Sequence, residues 1–147
     1  MKFHAALAAT LLACASIGPS AFAQASLLNP NTADPAALKA LPHVTDPVSQ
    51  AIVAGRPYAT TAAFNAAVSK VLSEAQRKEL YVKLFLQIDL NKASREEIML
   101  IPGMTTRMAR EFEEYRPYKN IEQFRKEIGK YVDAKEVARL ESYVALK

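Results

Sequence analysis

Few residues in this chain are equipped for covalent or metal chemistry. Outside the first 23 positions there is one histidine, His43, and no cysteine; the single cysteine is Cys14. A lone histidine with no second histidine or thiol does not make a metal site, and His43 reads as an exposed loop residue. No serine has a base in place to activate it, and no glycine-rich phosphate loop occurs. The carboxylate pairs Glu96-Glu97 and Glu113-Glu114 are consecutive on helical patterns. Members of each pair therefore diverge by about 100° around the axis and cannot share one site. The reading is a non-enzymatic protein with no cofactor, no metal and no small-molecule substrate, which binds and does no chemistry.

The elements that would carry a binding surface are announced twice. Ile101-Pro102-Gly103-Met104-Thr105-Thr106-Arg107 lies between two helical patterns, one holding Ile98 and Ile101, the other Met108, Phe112 and Tyr115. It reads as a tight hairpin between two short helices. Sixty positions earlier, Leu41-Pro42-His43-Val44-Thr45-Asp46-Pro47 repeats the pattern without a gap. Asn31 matches Asn91, Pro42 matches Pro102, and Arg56-Pro57-Tyr58 matches Arg116-Pro117-Tyr118. Phe64 matches Phe124, Lys70 matches Lys130 and Leu80 matches Leu140. An internal repeat of this kind is read before any single residue.

Each copy predicts four short helices. Asp34 with Pro35 opens the first copy, and Ser94 with Glu97, a capping box, opens the second. Thr45 and Thr105 read as caps of the second helix, and Thr60 or Thr61 and Asn120 as caps of the third. Ser73 with Gln76 and Asp133 with Glu136 read as capping boxes of the fourth. Pro57 and Pro117 stop the second helix, and Tyr58 and Tyr118 are expected to pack beneath the third with their hydroxyls at the surface. Core positions are expected at Phe64, Ala67, Val68 and Val71 in the third helix. In the fourth they are Leu80, Tyr81 and Leu84, with Val137, Leu140 and Val144 in the second copy. Tyr131 and Tyr143 also fall at core spacing. Phe85 to Leu90 alternates as an extended segment, and with no Gly/Ser linker the two copies are expected to touch.

Composition bounds the partners. The chain has 147 residues, half of them hydrophobic, and a formal charge of +4. Residues 24–87 carry 6 basic and 4 acidic side chains, and residues 88–147 carry 12 and 11. That balance permits a local anion-binding patch without advertising one. Met1-Lys2-Phe3-His4, an apolar run to Ile17, and Ala21-Phe22-Ala23 form a signal peptide, residues 1–23, cleaved after Ala23. Leu11-Leu12-Ala13-Cys14 faintly resembles a lipoprotein box, but the apolar run continues past it and a better site follows. The mature protein is expected in the periplasm or secreted, with no transmembrane span and no disulfide.

Ile88-Asp89-Leu90-Asn91-Lys92-Ala93, with Ile98 and Ile101-Pro102-Gly103 after it, resembles the helix-hairpin-helix modules of the ComEA competence family. The run from Leu28 to Pro42 resembles them in the first copy. A similar arrangement occurs in PsbU, an extrinsic subunit of photosystem II that does not work by binding DNA. The resemblance implies an all-α fold of two tandem units, residues 28–84 and 88–147. It also implies weak DNA binding through the phosphate backbone, without sequence preference. In the family the hairpin reads Pro-Gly-apolar-Gly: the glycines let the main chain approach a phosphate, and the N–H groups opening the next helix point at it. Carried over, this implicates Gly103, Met104, Thr105, Thr106, Arg107 and Arg110. The chain departs from the pattern at Thr105, where the second glycine is missing, and at His43 and Thr45, where both are. Asp46 adds a negative charge and Pro47 removes a donor, so the first hairpin is expected not to bind phosphate.

The residues also support a plainer account. Gly103 reads as a left-handed helix cap, Arg110 with Glu114 as an i,i+4 pair, and Glu111, Glu113 and Glu114 as cancelling much of the local field. Two functions therefore stand: a DNA binder of the uptake type, or a periplasmic module that binds an unidentified protein and has lost DNA.

Overall fold

The computed structural model describes residues 27–147. The expected leader, the cleavage after Ala23 and Cys14 lie outside the described residues. Among the described residues eight helices follow one another: α1 (Pro35–Lys39), α2 (Asp46–Ala54), α3 (Thr61–Val68), α4 (Glu74–Tyr81), α5 (Arg95–Met99), α6 (Thr106–Glu114), α7 (Ile121–Ile128) and α8 (Ala134–Glu141). Every helix of the second four starts and ends 60 positions after its counterpart in the first four. No helix among the described residues is long and apolar enough to cross a membrane.

The all-α expectation needs one amendment. A two-residue strand before α5, β1 (Ile88–Asp89), pairs in parallel with another after α8, β2 (Val144–Ala145), in the register Ile88↔Val144. In the first half a single parallel bridge, Leu28↔Leu84, takes the same place. Each set of four helices is thus tied off where the chain enters and leaves it. The pairing satisfies backbone groups at buried residues: Phe85 N donates to Leu28 O, Ile88 N to Tyr143 O and Leu90 N to Ala145 O. Leu84 and Val144 are buried as expected, but beyond the helices to which periodicity assigned them.

Caps explain where most helices begin. Ser73 and Ser94 form reciprocal capping boxes with Gln76 and Glu97. The side chains of Thr60, Thr105, Asn120 and Asp133 each accept a hydrogen bond from the third residue of the helix that follows. Glu136 does not complete the box expected with Asp133, because its carboxylate takes both Nε and Nη2 of Arg139 at 2.7 and 2.6 Å. Asp34 and Thr45 occupy cap positions without accepting a hydrogen bond.

The repeated Asn and Arg-Pro-Tyr residues clasp the chain to itself. Asn31 exchanges hydrogen bonds with both backbone groups of Tyr58, at 3.0 and 2.8 Å, and Asn91 does so with Tyr118 at 3.0 and 2.7 Å. Arg56 donates to the carbonyls of Pro30 and Ala33, and Arg116 to those of Leu90 and Ala93. The tyrosine hydroxyls are not at the surface as expected. Tyr58 Oη donates to Ile52 O at 2.8 Å and Tyr118 Oη reaches Glu111 O at 3.5 Å, inside the half-turn that the proline creates. Burial pushes the ionisation of both phenols up.

One hydrophobic core runs through both halves. Phe64 and Phe124 are fully enclosed, each meeting the tyrosine of its own clasp edge-on, at 5.2 and 5.9 Å between ring centres. From Phe64 a file of rings continues through Tyr81 and Phe85 to Tyr143, the last pair 5.0 Å apart. The halves therefore touch, as the missing linker predicted. Polar contacts cross too: Ala62 N donates to Glu97 Oε1 at 3.1 Å and Tyr143 Oη to Tyr81 O at 3.2 Å, while Thr61 Oγ1 holds the connecting segment through Leu86 O at 2.6 Å. Two expected core residues are outside. Val71 is 42% exposed and Tyr131 is 36% exposed. Helices α3 and α7 stop at Val68 and Ile128, so the helical spacing that would have turned these two inward does not continue. Ala67 is half-buried against the core.

Candidate functional site

Gly103 sits in a four-residue turn, Ile101 to Met104, closed by Met104 N donating to Ile101 O at 3.0 Å. Pro102 fills the second position and Gly103, at φ +77°, the third, which is the residue pattern of a type II turn. The left-handed conformation expected at Gly103 is present, but it does not cap the helix. Helix α5 ends at Met99, and its cap residue Leu100 is right-handed. The first half makes the same turn, with Val44 N donating to Leu41 O at 3.3 Å, without a glycine: His43 adopts φ +63°. A side chain there is uncommon and costs about 1–2 kcal/mol. The exposed His43 ring is tied down, with Nε2 2.7 Å from Glu79 Oε2.

Past the turn, Thr105 caps α6, its Oγ1 accepting from Met108 N at 3.1 Å. The N–H groups of Thr106 and Arg107, at the start of this nine-residue helix, have no carbonyl within it to bond. Thr105, Thr106, Arg107 and Arg110 are exposed, and Met104 is half-buried against the core. The six sequence-predicted residues thus fall on one turn and the first turn and a half of one helix.

The charges around them differ from expectation. Arg110 makes no pair with Glu114; its nearest carboxylate is Glu111 Oε1 at 4.0 Å, and its side chain stays 65% exposed. Glu113 is engaged by Arg95, whose guanidinium holds the Glu113 carboxyl below the usual carboxylate range. Glu111 is buried. Of the three glutamates expected to cancel the field, only Glu114 is exposed. In the first half, by contrast, Asp46 stands at the matching place and pairs with Lys39 at 2.7 Å.

Two features were missed by sequence reasoning. Arg139 of α8 donates from Nη1 to Pro102 O at 2.8 Å, bracing the hairpin from below while its other nitrogens hold Glu136. Its counterpart 60 positions earlier is Glu79, which braces His43. Pairing each residue with its repeat partner offered a signal, because both positions face the hairpin with opposite charges. The second feature is a tyrosine pair, Tyr115 and Tyr131, with hydroxyls 2.8 Å apart. Arg107 lies 6.0 Å from the Tyr131 ring centre and Lys130 lies 5.0 Å from that of Tyr115. Lys130 also bonds Glu127, so the ion pair anchors it beside the ring. Gly55 and Val71 stand at the two tyrosine positions in the first half, which leaves that face without rings.

No curated protein and no solved structure matches the chain. Residues 85–144, which hold β1, helices α5 to α8 and the hairpin at Gly103, match the family described as helix-hairpin-helix motif.

Proposed function

We propose that the protein is an exported, non-enzymatic tandem of two ComEA-like helix-hairpin-helix units, residues 28–84 and 88–147. Its second unit holds DNA by the phosphate backbone, weakly and without sequence preference, as DNA uptake requires. Helix-hairpin-helix motifs commonly bind nucleic acid. The observation that carries the reading is the hairpin inside the matched span. Gly103 is exposed at φ +77°, and it is followed by free N–H groups, two threonines, Arg107 and Arg110. A glycine without Cβ lets the backbone close on a phosphate oxygen, and the N–H groups and guanidiniums meet its charge. Such contacts hold the strand and read no bases. The first unit keeps the turn but offers Asp46, Pro47 and a histidine tied to Glu79, and takes no phosphate. Cleavage after Ala23 would deliver the protein to the periplasm or the medium.

A second reading is favoured by that first hairpin. Its neutralised charges suit a protein contact better than a phosphate, so the module could instead scaffold a periplasmic protein. Titration of the purified protein with duplex DNA over a salt series separates the two. DNA binding through a few phosphates gives a log–log slope of about −1 to −3. Arg107→Ala combined with Arg110→Ala should abolish binding, and His43→Ala should leave it unchanged. Absence of binding even at low salt would end the DNA reading.

A further inference from the structure

The hairpin at Gly103 forms one wall of a cleft of about 560 Å³ whose opposite wall belongs to the first half of the chain. Met99, Pro102, Gly103 and Met104 face Arg77 and Lys78 of α4, with Asn65 of α3 beside them. Met99 is 40% exposed, a large apolar side chain standing at the cleft mouth. Arg77 is fixed there, its Nη1 donating to Leu72 O at 2.8 Å. Lys78 pairs with Glu74, another lining residue, at 2.6 Å between two exposed side chains, a contact that an incoming anion can displace. Tyr81 Oη donates to Asn65 Oδ1 at 2.8 Å, so the amide Nδ2 of Asn65 has no partner among the described residues.

The repeat supplies an internal comparison. The matching place in the second half, between α7 and α8, is a smaller cleft of about 380 Å³. There Arg125 and Glu141 replace Asn65 and Tyr81 and close on each other at 2.6 Å. Val137 and Ala138 replace Arg77 and Lys78, so both of those cations are gone and the one that remains, Arg125, is paired. In the hairpin itself, Lys39 and Val44 stand in the first half where Met99 and Met104 stand in the second. Of these two matched places, the one at the second hairpin alone has polarizable apolar walls, a free amide donor and cations at its rim.

We propose that this cleft takes one unpaired nucleotide of the strand whose backbone the hairpin grips, so that the protein prefers DNA with a single-stranded end. The inference rests on the DNA reading above. Gly103 belongs to both places, and a strand held at the hairpin has its neighbouring nucleotide beside the cleft. The thioethers of Met99 and Met104 make favourable contacts with an aromatic face, and every base has one. Asn65 Nδ2 donates to a base oxygen or ring nitrogen, and Arg77 and Lys78 meet the phosphate. The cleft has the volume of a small-ligand site; a duplex, whose major groove alone is about 12 Å wide, does not enter it.

Fluorescence anisotropy at low salt tests this with a blunt duplex and the same duplex carrying a short single-stranded tail. The tailed duplex should bind the purified protein about tenfold tighter, the scale of one stacked base. Asn65→Asp keeps the acceptor for Tyr81 and removes the donor; Met99→Ala removes the exposed wall. Either should erase the preference while blunt-duplex affinity and the melting temperature stay put. Equal affinity for both duplexes, or a preference that survives both variants, would overturn the inference and leave the cleft to a peptide segment. Binding to neither duplex would remove the DNA reading itself.

Discussion

At the scale of single residues, the two hairpins solve one backbone problem in two ways. Both turns need a residue at positive φ, and Gly103 meets that need without strain, whereas His43 spends conformational energy there. Gly103→Ala isolates this term, because a Cβ at Gly103 would meet nothing closer than Arg139 Nη2 at 3.5 Å, an ordinary contact. The substitution should therefore destabilise the protein by about 1–2 kcal/mol through conformation alone. It should also weaken DNA binding, since the methyl group stands where a phosphate would approach. Denaturant unfolding and anisotropy on the same sample separate the two effects. A stability loss with unchanged DNA affinity would show that the hairpin is structural only.

Among the elements, helix starts were legible because a cap is a local device. A Ser, Thr, Asn or Asp followed by the first apolar face is visible in a short window, and six of the eight helices are capped by side chains in this way. What joins the helices was not legible. The Arg116 clasp on Leu90 and Ala93, the parallel pairing of β1 with β2, and Arg139 beneath Pro102 each link residues more than 20 positions apart. Nothing in the local period of either segment marks them. Glu113 and Glu141 likewise find arginine partners 18 and 16 positions away that local spacing does not name, while Glu136 pairs with Arg139 at i,i+3; in all three the guanidinium hydrogen bond holds the carboxyl below the usual carboxylate range. A carboxyl with a lowered folded value contributes stability that is complete above its unfolded value and lost as pH falls through the lowered one. Melting temperature should thus be flat above about pH 5 and decline below about pH 4. Glu141→Gln should flatten part of that decline, whereas a decline that begins near neutrality would place the sensitive group elsewhere.

For the whole molecule, sequence periodicity pointed to two copies but could not show how they are joined. The join is a ring-to-ring contact between Phe85, which follows α4, and Tyr143, which precedes β2, reinforced by Tyr143 Oη on Tyr81 O. Phe85 is 1% exposed and Tyr143 is 3% exposed, so this seam is as dry as the interior of either half. A four-helix unit of some 57 residues is marginal alone, because a chain that short buries only about 60% of its unfolded surface. Each half therefore draws stability from the other, and unfolding should be one cooperative step, with far-ultraviolet circular dichroism and tyrosine fluorescence superimposing. Phe85→Ala opens a cavity at the seam and should cost about 3–5 kcal/mol. Its effect should also be uneven. The second half keeps its capping box at Ser94, its β1–β2 tie and its Arg125–Glu141 and Arg95–Glu113 pairs. The first half has a single bridge and two helices whose cap residues accept nothing. The variant should melt in two steps, the first half going first, and at a temperature between them the hairpin at Gly103 should remain folded. A single transition at lower temperature would instead show that the seam adds stability without being what makes the halves cooperate.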